Sequence, residues 1–375
     1  MVSLTPFFGG GEVHFVKLAA LLARHYQVRA LAVNGEACSR LSGLDLDVVR
    51  LPDRAATSIF GRYYCAANEL HRQCGQFRPH AVHLNGQAEC YLSLIPWSFR
   101  IPIVATRHVP FNEHIRGIRR LLVRLNLQLA VKVICVSASI RTQLSPVIAL
   151  DKLVVIPNWL DYIPEPRRDT DNSRIGIFRL LFLGRIEVMK GIFDLIEAMR
   201  LLKDVTLDVV GSGVDLGAAQ AAAAGLPVTF HGFQVDCGPY FRAADLLVFP
   251  SYSEGLAQVP LEAMAHGLPC LITDIEGALE AADGGACAEV FHCGNSRELA
   301  QKVAGLQKNS ARLLELRELG LARFLSTYTL GAVHDQYVAL FGETALRDPD
   351  YIDPIPLFRT LKYREHNREQ ITPDE

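Results

Sequence analysis

No stretch of this chain is apolar for long enough to cross a bilayer as a helix, and no basic-then-apolar leader precedes a small-residue cleavage site. The cytoplasm is therefore the expected location. The nine cysteines, from Cys38 to Cys293, are odd in number and contain no Cys-x2-Cys pair or Cys/His ligand spacing. They read as reduced, mostly buried thiols, which argues against a disulfide framework and against structural zinc. No Gly-x-Gly-x2-Gly opens a helix after a strand, which argues against a Rossmann dehydrogenase. No sustained short-period repeat is present either.

The composition is that of a packed enzyme. Half of the 375 residues are apolar and 21% are charged. The length exceeds what one hydrophobic core usually fills, so two domains are expected. The net charge of −2 hides an asymmetry: residues 1–165 carry 18 Lys and Arg against 11 Asp and Glu, and the rest carries 20 against 29. A basic first half suits an anionic ligand. Nucleic acid is not among the partners expected.

Short apolar runs alternate with helical patterns. Strands are predicted at Val2–Leu4, Val28–Val33, Ala81–Leu84, Ile103–Thr106, Val133–Val136 and Val154–Ile156, with a helix over Glu12–His25. A polar, proline-containing stretch from Asp161 to Ile175 reads as a linker. The pattern then restarts, with strands at Arg179–Leu183, Thr206–Val210, Val228–Phe230, Leu246–Phe249 and Cys270–Thr273 and helices at Gly191–Leu202, Leu216–Ala224 and Pro260–His266. The reading is an α/β protein of two parallel-sheet domains, residues 1–165 and 175–345, with a charged, proline-rich tail at 346–375 that packs weakly or crosses back to the first domain.

Chemistry-bearing residues fall where such sheets bind ligands, beyond the carboxyl ends of strands. After Leu246–Pro250 come Glu254 and Gly255 in a loop, then Pro260 in the first turn of a helix that carries Glu262. The first-turn amides suit an anion, and the carboxylates suit a diol; a loop acid and a helix acid would look the same on spacing alone. Arg185 and Lys190 leave the Arg179–Leu183 strand in a glycine-containing loop, as a phosphate clamp or as two solvated cations. Gly9-Gly10-Gly11-Glu12 joins a strand to a helix, and Gly211-Ser-Gly213 follows another strand; each is weak by itself. His108 follows Ile103–Thr106 and suits a sugar hydroxyl or a structural role.

In order, these pieces resemble the retaining glycosyltransferases of family 4, which have the GT-B fold: two Rossmann-like domains facing a central cleft. The match takes in the glycine loop with Glu12, His108, Val133–Ser137, Ile156-Pro-Asn158, Gly184-Arg185…Lys190-Gly191, Gly211-x-Gly213, His231-Gly232-Phe233, and Glu254-x7-Glu262 with Ala-Met-Ala-x-Gly267-x-Pro269. It runs to roughly residue 340. The resemblance implies that Glu254 holds donor-sugar hydroxyls, Glu262 the ribose diol, and Arg185 and Lys190 the diphosphate. It also implies that Gly10 and Gly11 approach the phosphates, His108 touches the transferring sugar, and His231, Gly232 and Phe233 lie against the base. The amides of Gly255, Leu256, Ala257 and Gln258 would serve sugar and phosphates. Two departures stand out. Only Met1 to Phe8 precede the glycines, which leaves open whether the chain begins here. Trp159-Leu160-Asp161 also follows Asn158 where relatives have Gly-x-Asp.

The implied reaction moves a sugar from a nucleoside-diphosphate sugar to a hydroxyl of a glycan or lipid-linked acceptor, as in cell-surface polysaccharide synthesis. A nucleotide-sugar epimerase and a non-catalytic sugar-nucleotide-binding scaffold are the alternatives. No cofactor and no metal are expected. The Asp45/Asp47, Asp169/Asp171 and Asp348/Asp350 pairs all miss the nucleotide-binding strands. The basic segment Arg116–Lys132, with Arg119, Arg120 and Arg124 at helical spacing, suits peripheral contact with the inner face of the plasma membrane or an ordinary solvated helix.

Overall fold

The computed structural model describes residues 1–5, 9–51, 59–86, 89–109, 118–161 and 177–346. The chain forms two compact units. The first comprises Met1–Cys135, Ile140–Ile156 and the chain from Asp335; the second comprises Val136–Ser139 and Pro157–His334. All of the linker except Asp161, the tail beyond Leu346, and Arg116 lie outside the described residues, as do Asp169/Asp171 and Asp348/Asp350.

The first unit is built on β1 (Val2–Ser3), β2 (Arg29–Ala32), β3 (Asp47–Arg50), β4 (Val82–Asn85), β5 (Ile103–Arg107), β6 (Lys132–Cys135) and β7 (Leu153–Val155), in spatial order β3-β2-β1-β4-β5-β6-β7. All pairings are parallel. Every residue of β4 and β5 is buried, as in a sheet covered on both faces. The edge strand β3 is exposed at both ends and carries little apolar signal, so the sequence shows it only as an alternating stretch around Asp45 and Asp47. The Gly10–Ala23 helix packs Phe15, Val16 and Ala19 against Ala30 and Ala32 of β2 and against Ala37, Cys38 and Leu41 of the Gly35–Gly43 helix. Asn34 caps that second helix, its Oδ1 accepting the Ala37 N–H at 3.0 Å.

The Leu330–Ala345 helix returns to this unit. The Tyr26 hydroxyl donates to the Val338 carbonyl at 3.0 Å, the Tyr337 ring lies 5.9 Å from His14, and the Phe341 ring lies 5.8 Å from His83. Tyr337 is fully buried.

The second unit holds six parallel strands: β8 (Phe178–Leu183), β9 (Val205–Val210), β10 (Val228–Gly232), β11 (Leu246–Phe249), β12 (Cys270–Thr273) and β13 (Glu289–Phe291). Their order is β10-β9-β8-β11-β12-β13. All four residues of β11 and of β12 are buried. The core joins Leu180, Phe182, Leu207, Val209, Leu246, Val248 and Leu271 from the sheet to Ile192, Leu195 and Met199 of the Ile192–Met199 helix. Both sheets have the strand order of a Rossmann-like domain, with a switch point between β1 and β4 and another between β8 and β11.

The basic segment forms a helix over Ile118–Leu129, with Val123 and Leu127 buried and Arg124 exposed, while Lys132 donates from Nζ to the Asp151 carbonyl at 2.8 Å. Among the described residues no helix is long and apolar enough to cross a membrane.

Candidate functional site

At the switch point of the second sheet, loops from β8 and β11 lie side by side because their parent strands are neighbours. Lys190, at the end of the Val188–Lys190 turn, donates from Nζ to Glu254 Oε1 at 2.5 Å. Ser251 Oγ donates to the same oxygen at 3.1 Å. Both ionic side chains are about four-fifths buried, with 20% of Lys190 and 18% of Glu254 exposed, so the pair is partly shielded from water. The Tyr252 N–H donates to the Met189 carbonyl at 3.0 Å and fixes one loop on the other. Arg185 is more open, 69% exposed, and its guanidinium donates to Glu187 at 2.8 Å.

The β9 loop is drawn under the β8 loop. The Ile186 N–H donates to the Ser212 carbonyl at 3.0 Å, and the Val188 N–H to Asp215 at 2.9 Å. A methyl group at Gly211, whose φ is +138°, would collide with the Gly184 carbonyl, and one at Gly213 with that of Ile186. These two glycines therefore serve loop-on-loop packing beside Arg185 and Lys190.

Beyond Glu254, the Gln258–Ala265 helix begins with its first-turn amides at the same strand edge. The Ala257 N–H donates to the Gly277 carbonyl at 3.2 Å and is engaged within the protein, unlike the ligand-facing role the resemblance gives it. Leu256 and Ala257 are buried, and Gly255 is buried with them. Glu262 is half-buried on this helix. Burial, together with the charges of Glu262 and Asp236, pushes the Cys237 thiol up to about 11.

His231 sits where the β10–β9 register shifts between Phe230 and Gly232, an irregularity that re-aims its side chain. Its Nε2 lies 2.6 Å from Asp208 Oδ1 on β9, and its ring lies 4.8 Å from Tyr240. The Gly232 carbonyl accepts the Gly211 N–H at 2.8 Å, while the Phe233 side chain next to it is 74% exposed. An exposed aromatic ring has an open face of the kind on which planar groups stack. Asp208 is not singled out from the sequence, where it is an acid inside a mostly apolar strand.

In the first unit Gly10 and Gly11 open the Gly10–Ala23 helix, and Glu12 in that first turn is buried, accepting from Ser3 Oγ at 3.4 Å. Burial raises the Glu12 carboxyl above its usual range, against hydrogen bonds from Thr5, Gly9 and Ser3 that lower it. Glu89 is 1% exposed, accepts the Leu4 N–H at 2.5 Å, and is pushed up to about 7. Burial is the main cause and the Glu12 charge adds to it, while the Leu4 amide and Arg107 oppose it. His108 lies at the end of β5, half-buried, with Nε2 2.9 Å from Asn85 Oδ1 and its ring 4.9 Å from His14. Burial first, then the Arg107 charge, lowers its imidazole to about 4, so it is neutral at physiological pH. Asn85 and Glu89 were not singled out from the sequence.

Of the Asp-x-Asp pairs, Asp45/Asp47 alone lies among the described residues. Asp47 pairs with Arg29 at the sheet edge, remote in sequence from the clamp. Among the described residues no cluster of three or more His, Cys, Asp or Glu has the arrangement of a metal site.

With the geometry in view, comparison with known proteins gives two family matches. Residues 8–162 match the "Glycosyltransferase Family 4" profile, and residues 177–309 match "Glycosyl transferases group 1". The chain is 28% identical over 167 residues to the lipopolysaccharide core biosynthesis glycosyltransferase LpsE of Rhizobium meliloti, covering 44% of this chain and 49% of that protein. It is 39% identical over 116 residues to the D-inositol 3-phosphate glycosyltransferase of an Arthrobacter species, covering 27% and 28%. The matched stretches thus span half or less of the length of these curated relatives. Anabaena HepE, solved in complex with UDP and glucose, superposes with a TM-score of 0.78 at 19% identity, covering 91% of this chain and 98% of that one. That similarity shows the fold.

Proposed function

Since the chain belongs to the family 4 glycosyltransferases, with a group 1 second domain and the GT-B pair of Rossmann-like sheets, we propose that it is a retaining, metal-independent glycosyltransferase. Its donor is a nucleoside-diphosphate hexose or N-acetylhexosamine. Its acceptor is a hydroxyl of a glycan or lipid-linked sugar in cell-surface polysaccharide synthesis, a class that includes the lipopolysaccharide-core activity named for LpsE. The second unit holds the donor. Lys190 and Arg185 neutralise the diphosphate, Glu254 takes sugar hydroxyls, and Glu262 takes the ribose diol. Phe233, with His231 and Gly232, lies along the base.

One observation carries this reading: Lys190 and Glu254 meet at 2.5 Å at the switch point of the second sheet. A cation and an acid held there can grip a phosphate and the adjoining sugar together. In the reaction the acceptor hydroxyl attacks the anomeric carbon on the face from which the diphosphate leaves. The carbon–phosphate-oxygen bond breaks as the new glycosidic bond forms, and the acceptor's proton passes to the departing phosphate oxygen. Lys190 and Arg185 stabilise the charge that develops on that group.

A thermal-shift panel of UDP-, GDP- and ADP-sugars identifies the donor, because a ligand that binds only the folded protein raises the unfolding temperature. Nucleoside diphosphate release is then followed with and without candidate acceptors. Acceptor-dependent release with retained anomeric configuration supports the reading. Release of free sugar or of an epimer without acceptor, or binding with no turnover at all, refutes it. Peripheral association is tested by vesicle co-sedimentation, and binding that ignores anionic lipid content would dismiss it.

A further inference from the structure

Three groups in the first unit fix a protonation state by elimination. The Gly11 carbonyl can only accept a hydrogen bond, and Asn85 Nδ2 lies 3.0 Å from it, so the amide nitrogen of Asn85 faces the glycine loop. Asn85 Oδ1, which can only accept, is thereby turned to His108 Nε2 at 2.9 Å. Nε2 must then carry the proton, and in a neutral imidazole Nδ1 is left as a bare lone pair. That Nδ1 is buried and has no hydrogen-bond partner among the described residues.

The surroundings preserve this arrangement. Asn85 is 2% exposed and ends β4, beside β5 in the sheet, with Asn85 opposite Thr106 in register. The imidazole edge rests against Gly11, where an added methyl would sit 3.6 Å from His108 Cδ2. The charged or titratable groups that couple to the ring are Arg107, which precedes it, His14 from the Gly10–Ala23 helix and His83 of β4. Burial and the Arg107 charge disfavour a second proton on His108, and burial holds His14 and His83 themselves well below the usual histidine range.

We propose that Asn85 is a positioning residue that ties the glycine loop to His108 and locks the imidazole as the neutral Nε2–H tautomer, so that it meets substrate through Nδ1 as a hydrogen-bond acceptor. The group it recognises is then an O–H of a sugar, and an anionic substituent is turned away. The substrate half of this proposal rests on the glycosyltransferase reading; the tautomer half does not.

The test separates the two. Protein carrying nitrogen-15 histidine is examined by imidazole NMR, with the His108 signals assigned by their loss in His108→Gln. The expected pattern is a protonated Nε2 and a bare Nδ1, unchanged between about pH 8 and pH 5.5, a range over which an ordinary histidine titrates. A protonated Nδ1, or the averaged signals of two tautomers, overturns the proposal without any variant. In Asn85→Asp the acceptor for Nε2–H remains, but the donor to Gly11 is lost and a negative charge is added. His108 is then expected to be doubly protonated near neutrality, with kcat down by about tenfold or more at about pH 7 and recovering as the pH rises. A pH profile and kcat that match the wild type would overturn the positioning role. Failure of the wild type to release nucleoside diphosphate from any donor would refute the glycosyltransferase reading and leave the tautomer result intact.

Discussion

Lys190 and Glu254 are 64 positions apart in sequence, yet they form a 2.5 Å ion pair that joins the loops after β8 and β11. Each neutralises the other. On the function proposed above, a donor that takes up Lys190 would release Glu254 toward the sugar, so that phosphate and sugar would be gripped by one exchange of partners.

Lys190→Ala is therefore expected to lower kcat/KM by about 100-fold or more, the scale seen when one donor to a developing oxyanion is removed. Arg185→Ala should act in the same direction. Donor-dependent release of nucleoside diphosphate measures both, and turnover that survives both substitutions would remove the clamp from the mechanism.

The pair should also be visible in stability. Removing one partner leaves a largely buried charge alone, so a double-mutant cycle of Lys190→Met and Glu254→Gln is expected to show coupling of about 0.5–3 kcal/mol in urea unfolding. Additive losses would mean that the contact contributes nothing to the fold.

Glu89 supplies a pH signature. Its carboxyl is raised from 4.5 to about 7 in the fold, so between those values the folded protein holds a proton that the unfolded chain has lost. Stability falls as the pH rises through that window, by about 3 kcal/mol at full extent, and levels off above it. Histidines 14, 83 and 108 act with the opposite sign, because their lowered values make the fold gain stability as pH rises toward the ordinary histidine range. Comparing Glu89→Gln with wild type at about pH 5 and pH 8 cancels the histidines. The variant is expected to gain on the wild type at the higher pH, and parallel curves would contradict the assignment.

Phe233 separates binding from folding. Being 74% exposed, it should be replaceable by Ala with a stability change within about 0.5 kcal/mol. Its loss from a stacking surface should nonetheless raise the donor KM. An unchanged KM would move the base elsewhere.

Metal independence is checked with chelator: activity undiminished in EDTA is expected, and strict dependence on added Mn²⁺ or Mg²⁺ would require ligands not identified among the residues described.

The alternation of strand and helix was readable because buried parallel strands are nearly continuous apolar runs, as in Leu246–Phe249. The short edge strands β3 and β13 were not called as strands because, with one side unpaired, they keep polar residues such as Asp47 and Glu289. The placing of Lys190 and Glu254 in loops beyond β8 and β11 is readable because each follows an apolar run, whereas spacing alone does not distinguish a site acid from a loop acid or, for Glu262, a helix acid. Asn85 and Asp208 carry no such mark, since each meets a histidine 23 positions away on or just past a neighbouring strand, and only the sheet register brings them together.

Because Tyr337 and Phe341 pack beside His14 and His83, the first unit is discontinuous along the chain, with most of the second unit inserted within it. A ribosome emits the material for the inserted lobe in full before the last wall of the surrounding lobe appears. The lobe begun first is thus completed second, and a nascent chain halted near residue 160 leaves that interior open, a state prone to aggregation.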